Sequence, residues 1–200
     1  MNKSKDLEQI EKIFEHSISI KKQCVEQGFE SIINIGKIAT SSVLKGNKIM
    51  LCGNGGSAAD SQHLAAEFLV RLRPNVNRRP IPALSLATDV STLTPCANDY
   101  SSNDIFLRTF SALHNKNDVL FALSTSGMSK NILKVLKEAQ KKDIYSVGLY
   151  GGKGGDAKKF TYDPIIIKNN NVALIQEAHI FVSHYILECV EDLLLKKKYL

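Results

Sequence analysis

The sequence predicts an α/β fold: a three-layer sandwich on a five-stranded parallel sheet, preceded by a helical N-terminal extension. Three observations predict it. Short apolar runs alternate with stretches of helical period. Several runs end in Gly- or Ser-rich turns that open the next helix. The first 45 residues carry apolar side chains at helical spacing and no strand-like run. With 200 residues, 44% hydrophobic and 23% charged, the chain can bury one core and is expected to form a single domain. Residues 1–45 are read as the extension and 46–200 as the sheet with its covering helices.

The elements follow in order. Leu7, Ile10, Ile13 and Phe14 lie on one helical face, and Phe29, Ile32, Ile33, Ile35, Ile38 and Val43 continue the pattern. Gly28 is expected to divide the two stretches into a helix pair. Residues 48–52 (KIMLC) form the first strand, followed by a helix over about 58–72. Strands are expected at 81–87, 119–123, 145–149 and 164–167, with a helix over 130–141 and a long apolar helix over about 174–195. Alternation of this kind implies parallel strands covered on both faces, with ligands at their carboxyl ends.

The net charge of +6 is diffuse. Lys196, Lys197 and Lys198 close an apolar helix, where they complement its dipole. Arg71, Arg73, Arg78 and Arg79 are read as a solvated loop or a subunit contact. They lack interleaved aromatics, so no nucleic-acid partner is expected. Without a long apolar run, no membrane span is expected, and the protein is read as cytoplasmic. Cys24, Cys52, Cys96 and Cys189 form no CxxC pair and are read as free thiols.

Two strand-to-helix turns are rich in hydrogen-bond donors. The first is Gly53-Asn54-Gly55-Gly56-Ser57. The second is Ser124-Thr125-Ser126-Gly127-Met128-Ser129, which places four hydroxyls at a helix mouth. Free N–H groups at a helix start, glycine backbone and hydroxyls together suit a compact phosphate. Neither turn has the GK[ST] of a P-loop or the GxGxxG of a dinucleotide fold.

The helix after the first turn carries His63 and Glu67 at i,i+4, on one face, where they can grip a divalent metal or simply pair with each other. The last helix carries Gln176, Glu177, His179 and His184 within an apolar run. Spacing does not favour His184 over His179 as a partner for Gln176.

These residues resemble a known family. The run from Gly53-Asn54-Gly55-Gly56-Ser57 through Asp60 and His63 to Glu67 is similar to the signature of the phosphoheptose isomerases, which have the sugar isomerase (SIS) fold. So are Asn98-Asp99 after the Thr88-Asp89 turn, the Ser124 to Asn131 segment, and Gln176-Glu177 with His179 and His184. The motifs span roughly residues 45–190 in the family's order. The resemblance implies that Ser124, Thr125, Ser126 and Ser129 hold the phosphate. It implies that Asn54, Gly55, Gly56, Glu67, Asn98, Asp99 and Gln176 contact the sugar. His63, Glu67, Gln176 and His184 would bind one zinc ion per subunit, which selects His184 over His179. Glu67 and His184 would be the catalytic acid–base pair, in a homotetramer with sites at subunit contacts.

The implied reaction converts sedoheptulose 7-phosphate to D-glycero-D-manno-heptose 7-phosphate through an enediol. It would open nucleotide-activated heptose synthesis for lipopolysaccharide or capsule. Two departures stand out: Met128 where the family usually has Asn, and Ser101-Ser102-Asn103 in place of a more glycine-rich stretch. The rival readings are a catalytically inactive SIS-fold adaptor in replication initiation and an enzyme for another phosphosugar. Adaptor relatives lose the acid–base residues, whereas Glu67 and His184 are both present here.

Overall fold

The computed structural model describes residues 3–200. Five strands form one parallel sheet: β1 (Ile49–Gly53), β2 (Ala83–Ser85), β3 (Val119–Ser124), β4 (Tyr145–Gly151) and β5 (Asp163–Ile167). Their order is β2-β1-β3-β4-β5. The six α-helices are α1 (Lys3–Leu44), α2 (Gly56–Leu69), α3 (Val90–Asp99), α4 (Ile105–Leu113), α5 (Lys130–Lys141) and α6 (Val172–Lys196). A 3-10 turn at Ala157–Phe160 precedes β5.

Strand periodicity sorts the core into two layers. Ile49, Leu51, Val119, Phe121 and Leu123 face α1, α2 and α6, where they meet Ile35, Leu64, Phe68, Val182 and Ile186. The alternate residues Met50, Cys52, Leu120 and Ala122 face α4 and α5, against Phe106, Phe110, Ile132 and Val135. The expected three-layer α/β sandwich is therefore present. β2 is shorter than expected at an edge of the sheet, and Pro80 and Pro82, which cannot donate to a ladder, lie just before it.

The expected helix pair at the N-terminus is instead one continuous helix of 42 residues. One glycine costs a helix only about 1 kcal/mol, too little to break a helix whose C-terminal half packs on α6. Ile32, Ile35, Ala39 and Val43 are buried in that half. Toward the N-terminus, Leu7, Ile10, Ile13 and Phe14 are all more than half exposed. α3 and α4 were not anticipated. The four cysteines are free, Cys52 and Cys96 buried and Cys24 and Cys189 half-buried. No helix among the described residues is long and apolar enough to cross a membrane.

Candidate active site

β1 connects outward to β2, and β3 pairs on its other side, so the sheet's topological switch lies between β1 and β3. Such crevices bind ligands in open α/β sheets. Register places Gly53 beside Leu123, so the two turns emerge side by side. They are tied together: the amides of Asn54 and Asn131 each donate to the other at 2.9 Å. Asn131 lies within the Ser124 to Asn131 motif, and its spacing alone gives it no role.

In the second turn the hydroxyls organise the backbone. Ser124 Oγ accepts from Gly127 N at 3.1 Å and lies 3.5 Å from Ser129 Oγ. Ser126 Oγ accepts from Met128 N at 3.1 Å. Ser129 sits at the start of α5 with its hydroxyl not engaged in capping. Gly127 has φ +62°, and a Cβ there would lie 2.1 Å from the Gly154 carbonyl oxygen, so only glycine fits. The Met128 sulfur accepts from Asp156 N at 3.3 Å, which ties this side chain to the segment after β4.

The first turn leads into α2, whose first residue, Gly56, leaves room for Gln176 of α6. A Cβ on Gly56 would stand 2.3 Å from Gln176 Nε2. Two helical turns further, His63 Nε2 meets His184 Nε2 at 2.9 Å, with the rings edge-on. Glu67 Oε1 lies 3.8 Å from His63 Nδ1, one turn along α2. Burial, then the nearby His63, pushes the His184 pKa down, so its ring is held neutral with a lone pair available. Asp60 also belongs to this face. One of its oxygens is buried without a partner, and burial raises its pKa against the pull of His63. The sequence reading did not assign it a role; its i,i+3 spacing from His63 was the available signal.

His179, the other candidate on α6, points into the protein and is fully buried, and among the described residues neither ring nitrogen makes a hydrogen bond of good geometry. The structure therefore brings His63, Glu67, Gln176 and His184 along the α2–α6 contact and places His179 elsewhere. Asn98 and Asp99 stand exposed at the end of α3, where they hydrogen bond to each other. Among the described residues they make no hydrogen bond to either turn.

The donor set suits a zinc ion in kind, with two imidazoles and two oxygen donors. Two nitrogens on one tetrahedral zinc would lie about 3.3 Å apart, close to the observed His63–His184 separation of 2.9 Å. Glu67 lies toward the other nitrogen of His63, and among the described residues no three His, Cys, Asp or Glu side chains close into a cage. The two converging ring nitrogens are thus the part of a metal site that the fold itself assembles.

The SIS domain family matches residues 13–151. A phosphoheptose isomerase of Clostridium acetobutylicum is 39% identical over 94% of this chain and 96% of its own. One from Aquifex aeolicus is 37% identical over 96% and 99%. The chain belongs to the phosphoheptose isomerase family. Among solved structures, the phosphoheptose isomerase of Francisella tularensis superposes with a TM-score of 0.88 at 32% identity, covering 94% of this chain and 98% of that one. The Neisseria gonorrhoeae phosphoheptose isomerase GmhA gives 0.86 at 32%, covering 93% and 98%. These phosphoheptose isomerases are matched over nearly their whole length.

Arg73 and Arg78, expected in a solvated loop or a subunit contact, are bound within the chain. Both pair with the fully buried Glu191 of α6, and the Arg78 side chain is itself enclosed.

Proposed function

We propose that this isomerase interconverts sedoheptulose 7-phosphate and D-glycero-D-manno-heptose 7-phosphate. The observation that carries the reading is the meeting of the His63 and His184 ring nitrogens at 2.9 Å, with Glu67 beside His63, on the helix that opens from the first turn. Phosphate held at the second turn by Ser124, Thr125, Ser126 and Ser129 fixes the far end of the sugar chain. Asn54, Gly55, Gly56, Asn98, Asp99 and Gln176 contact the carbon chain between. Glu67 takes the proton from C1 of the ketose, and the resulting enediol is protonated at C2 to give the aldose. His184, kept neutral by its surroundings, moves the proton between the two oxygens, donating to one as it accepts from the other. His63, Glu67, Gln176 and His184 would hold a zinc ion, which when bound supplies Lewis-acid polarisation of the substrate oxygens.

In this reading the chain is one SIS domain with residues 1–45 as its helical extension, cytoplasmic where phosphorylated sugars are made. It acts as a homotetramer without nucleic acid. The exposed apolar face of α1, with Leu7, Ile10, Ile13 and Phe14, supports burial against other subunits. The product feeds nucleotide-activated heptose for lipopolysaccharide or capsule. The adaptor reading finds no support in the relatives compared. The test is incubation with sedoheptulose 7-phosphate, with and without chelator, and identification of the product. Chelator-sensitive formation of the heptose phosphate is expected; no aldose product from metal-replete protein would overturn the reading.

A further inference from the structure

The clusters of charge outside the site include one that is fully buried. Glu191 is 0% exposed and sits on α6 seven residues after His184. Seven residues are two helical turns, about 10 Å along the axis, so Glu191 and His184 share the edge of α6 that faces α2. The Glu191 carboxylate accepts from Arg73 through one oxygen and from Arg78 through the other. The Arg73 guanidinium continues to Asp192 at 2.6 Å. Arg78, whose side chain is also 0% exposed, then turns back onto α2. Its Nη2 donates to the carbonyl of Glu67 at 2.8 Å, and its Nη1 to the carbonyl of Phe68 at 3.0 Å.

Those carbonyls belong to the last turn of α2, where helical oxygens lack intrahelical partners and the dipole is negative. A guanidinium presents donors in a fixed fork and can serve a carboxylate and two carbonyls at once. The result is a rigid strut: one buried side chain anchored on α6 grips the backbone of the very residue whose carboxylate faces His63. Besides the His63–His184 contact and the seat of Gln176 on Gly56, α2 and α6 contribute apolar side chains such as Leu64, Phe68 and Leu187 to one core, and apolar packing is non-directional.

We propose that Arg78 and Glu191 are positioning residues that fix the register of α2 against α6, and so set the approach of Glu67 and His63 to His184 and Gln176. This rests on the proposed activity, and it predicts where its own failure would differ. Two variants test it. Arg78→Lys keeps the charge pair but loses the fork. Arg78→Met combined with Glu191→Leu removes the buried pair without leaving either charge alone, an exchange that proteins often tolerate. Arg73 then keeps Asp192, which is half exposed.

Each variant is assayed after its thermal melt and oligomer size are compared with wild type. Misplacement of reacting groups by about 1 Å can cost roughly 100-fold. A fall in kcat of tenfold or more is therefore expected in both, with KM within about twofold because the phosphate turn lies on β3 and α5. Zinc affinity, read by competition with a chromophoric chelator, should weaken at least tenfold in parallel, since two ligands come from each helix. A folded variant with a smaller loss of kcat overturns the proposal. So do a loss carried by KM, unchanged zinc affinity, or failure of both variants to fold, which would make the pair a folding element alone. If the wild type itself shows no turnover, the assigned reaction fails instead, and zinc affinity alone decides the positioning claim.

Discussion

His179 is the most exacting test of how this core is built. Its ring is fully buried on α6, among the described residues neither nitrogen makes a hydrogen bond of good geometry, and the buried hydroxyl of Ser183, one turn further, makes none either. Burial pushes its pKa down to about 4, with the Tyr150 backbone pulling more weakly the other way. In the unfolded chain the same ring titrates near its ordinary value of 6.5. Between these values the unfolded state binds more protons, so stability rises with pH across the window and is lost as pH falls. At pH 5 the unfolded ring is almost fully charged and the native ring about one-tenth so. At about 1.4 kcal/mol per pKa unit, the loss relative to pH 7 is about 2 kcal/mol, growing to about 3 below pH 4. His179→Leu removes the titration and the unsatisfied nitrogens while nearly keeping the volume. Urea unfolding at pH 7 and pH 5, at one fixed protein concentration, gives the comparison. The variant should lose about 2 kcal/mol less than wild type between the two pH values. His184, Asp60 and the other groups titrate in both proteins and cancel in the difference. Equal acid loss in wild type and variant would refute the neutral, buried histidine.

Other outcomes follow from the same geometry. Ser124→Ala and Ser126→Ala each remove a hydroxyl that orders the second turn, so under the proposed reading KM should rise more than kcat falls; wild-type KM in both would place the phosphate elsewhere. Glu67→Gln and His184→Gln should each lower turnover by about 10²–10⁴-fold while the folded oligomer still binds the sugar phosphate, as calorimetry would detect. The double variant should be little worse than either single one, because the groups act as a unit. Light scattering should find an oligomer, and Ile10→Lys with Phe14→Lys should reduce its mass by placing charge on the exposed face of α1; a wild-type monomer at micromolar concentration would contradict the assembly.

The fold was legible where the signal is local. The ends of α5 matched the expected residues because Ser129 and the lysine-rich end frame a strongly amphipathic stretch. β1 and β3 stood out because a strand buried on both faces must be apolar throughout. α3 was invisible for the converse reason. Thr92, Thr94 and Pro95 are poor helix formers, only Cys96 is buried, and the helix depends on Asp89 capping Ser91 N. The division expected at Gly28 failed because its local cost is small beside the packing of a helix face that the window around it does not contain.

The site divides along the same line. Spacing alone puts His63 and Glu67 on one face, because i,i+4 is a property of a single helix. It cannot choose between His179 and His184, since that depends on which edge of α6 meets α2. The choice comes from packing. Residues 174, 178, 182 and 186 are buried against the sheet, which fixes the rotation of α6. His179 then turns inward and His184 toward His63. The arginines show the same dependence. In sequence, Arg73 and Arg78 stand among prolines and polar residues, with every local mark of a solvated loop. Their partner, Glu191, is more than 110 residues away, and only the return of α6 across α2 encloses the three charges together. A buried carboxylate held by two guanidiniums cannot be read from either segment by itself, yet it ties down the end of the helix that carries Glu67.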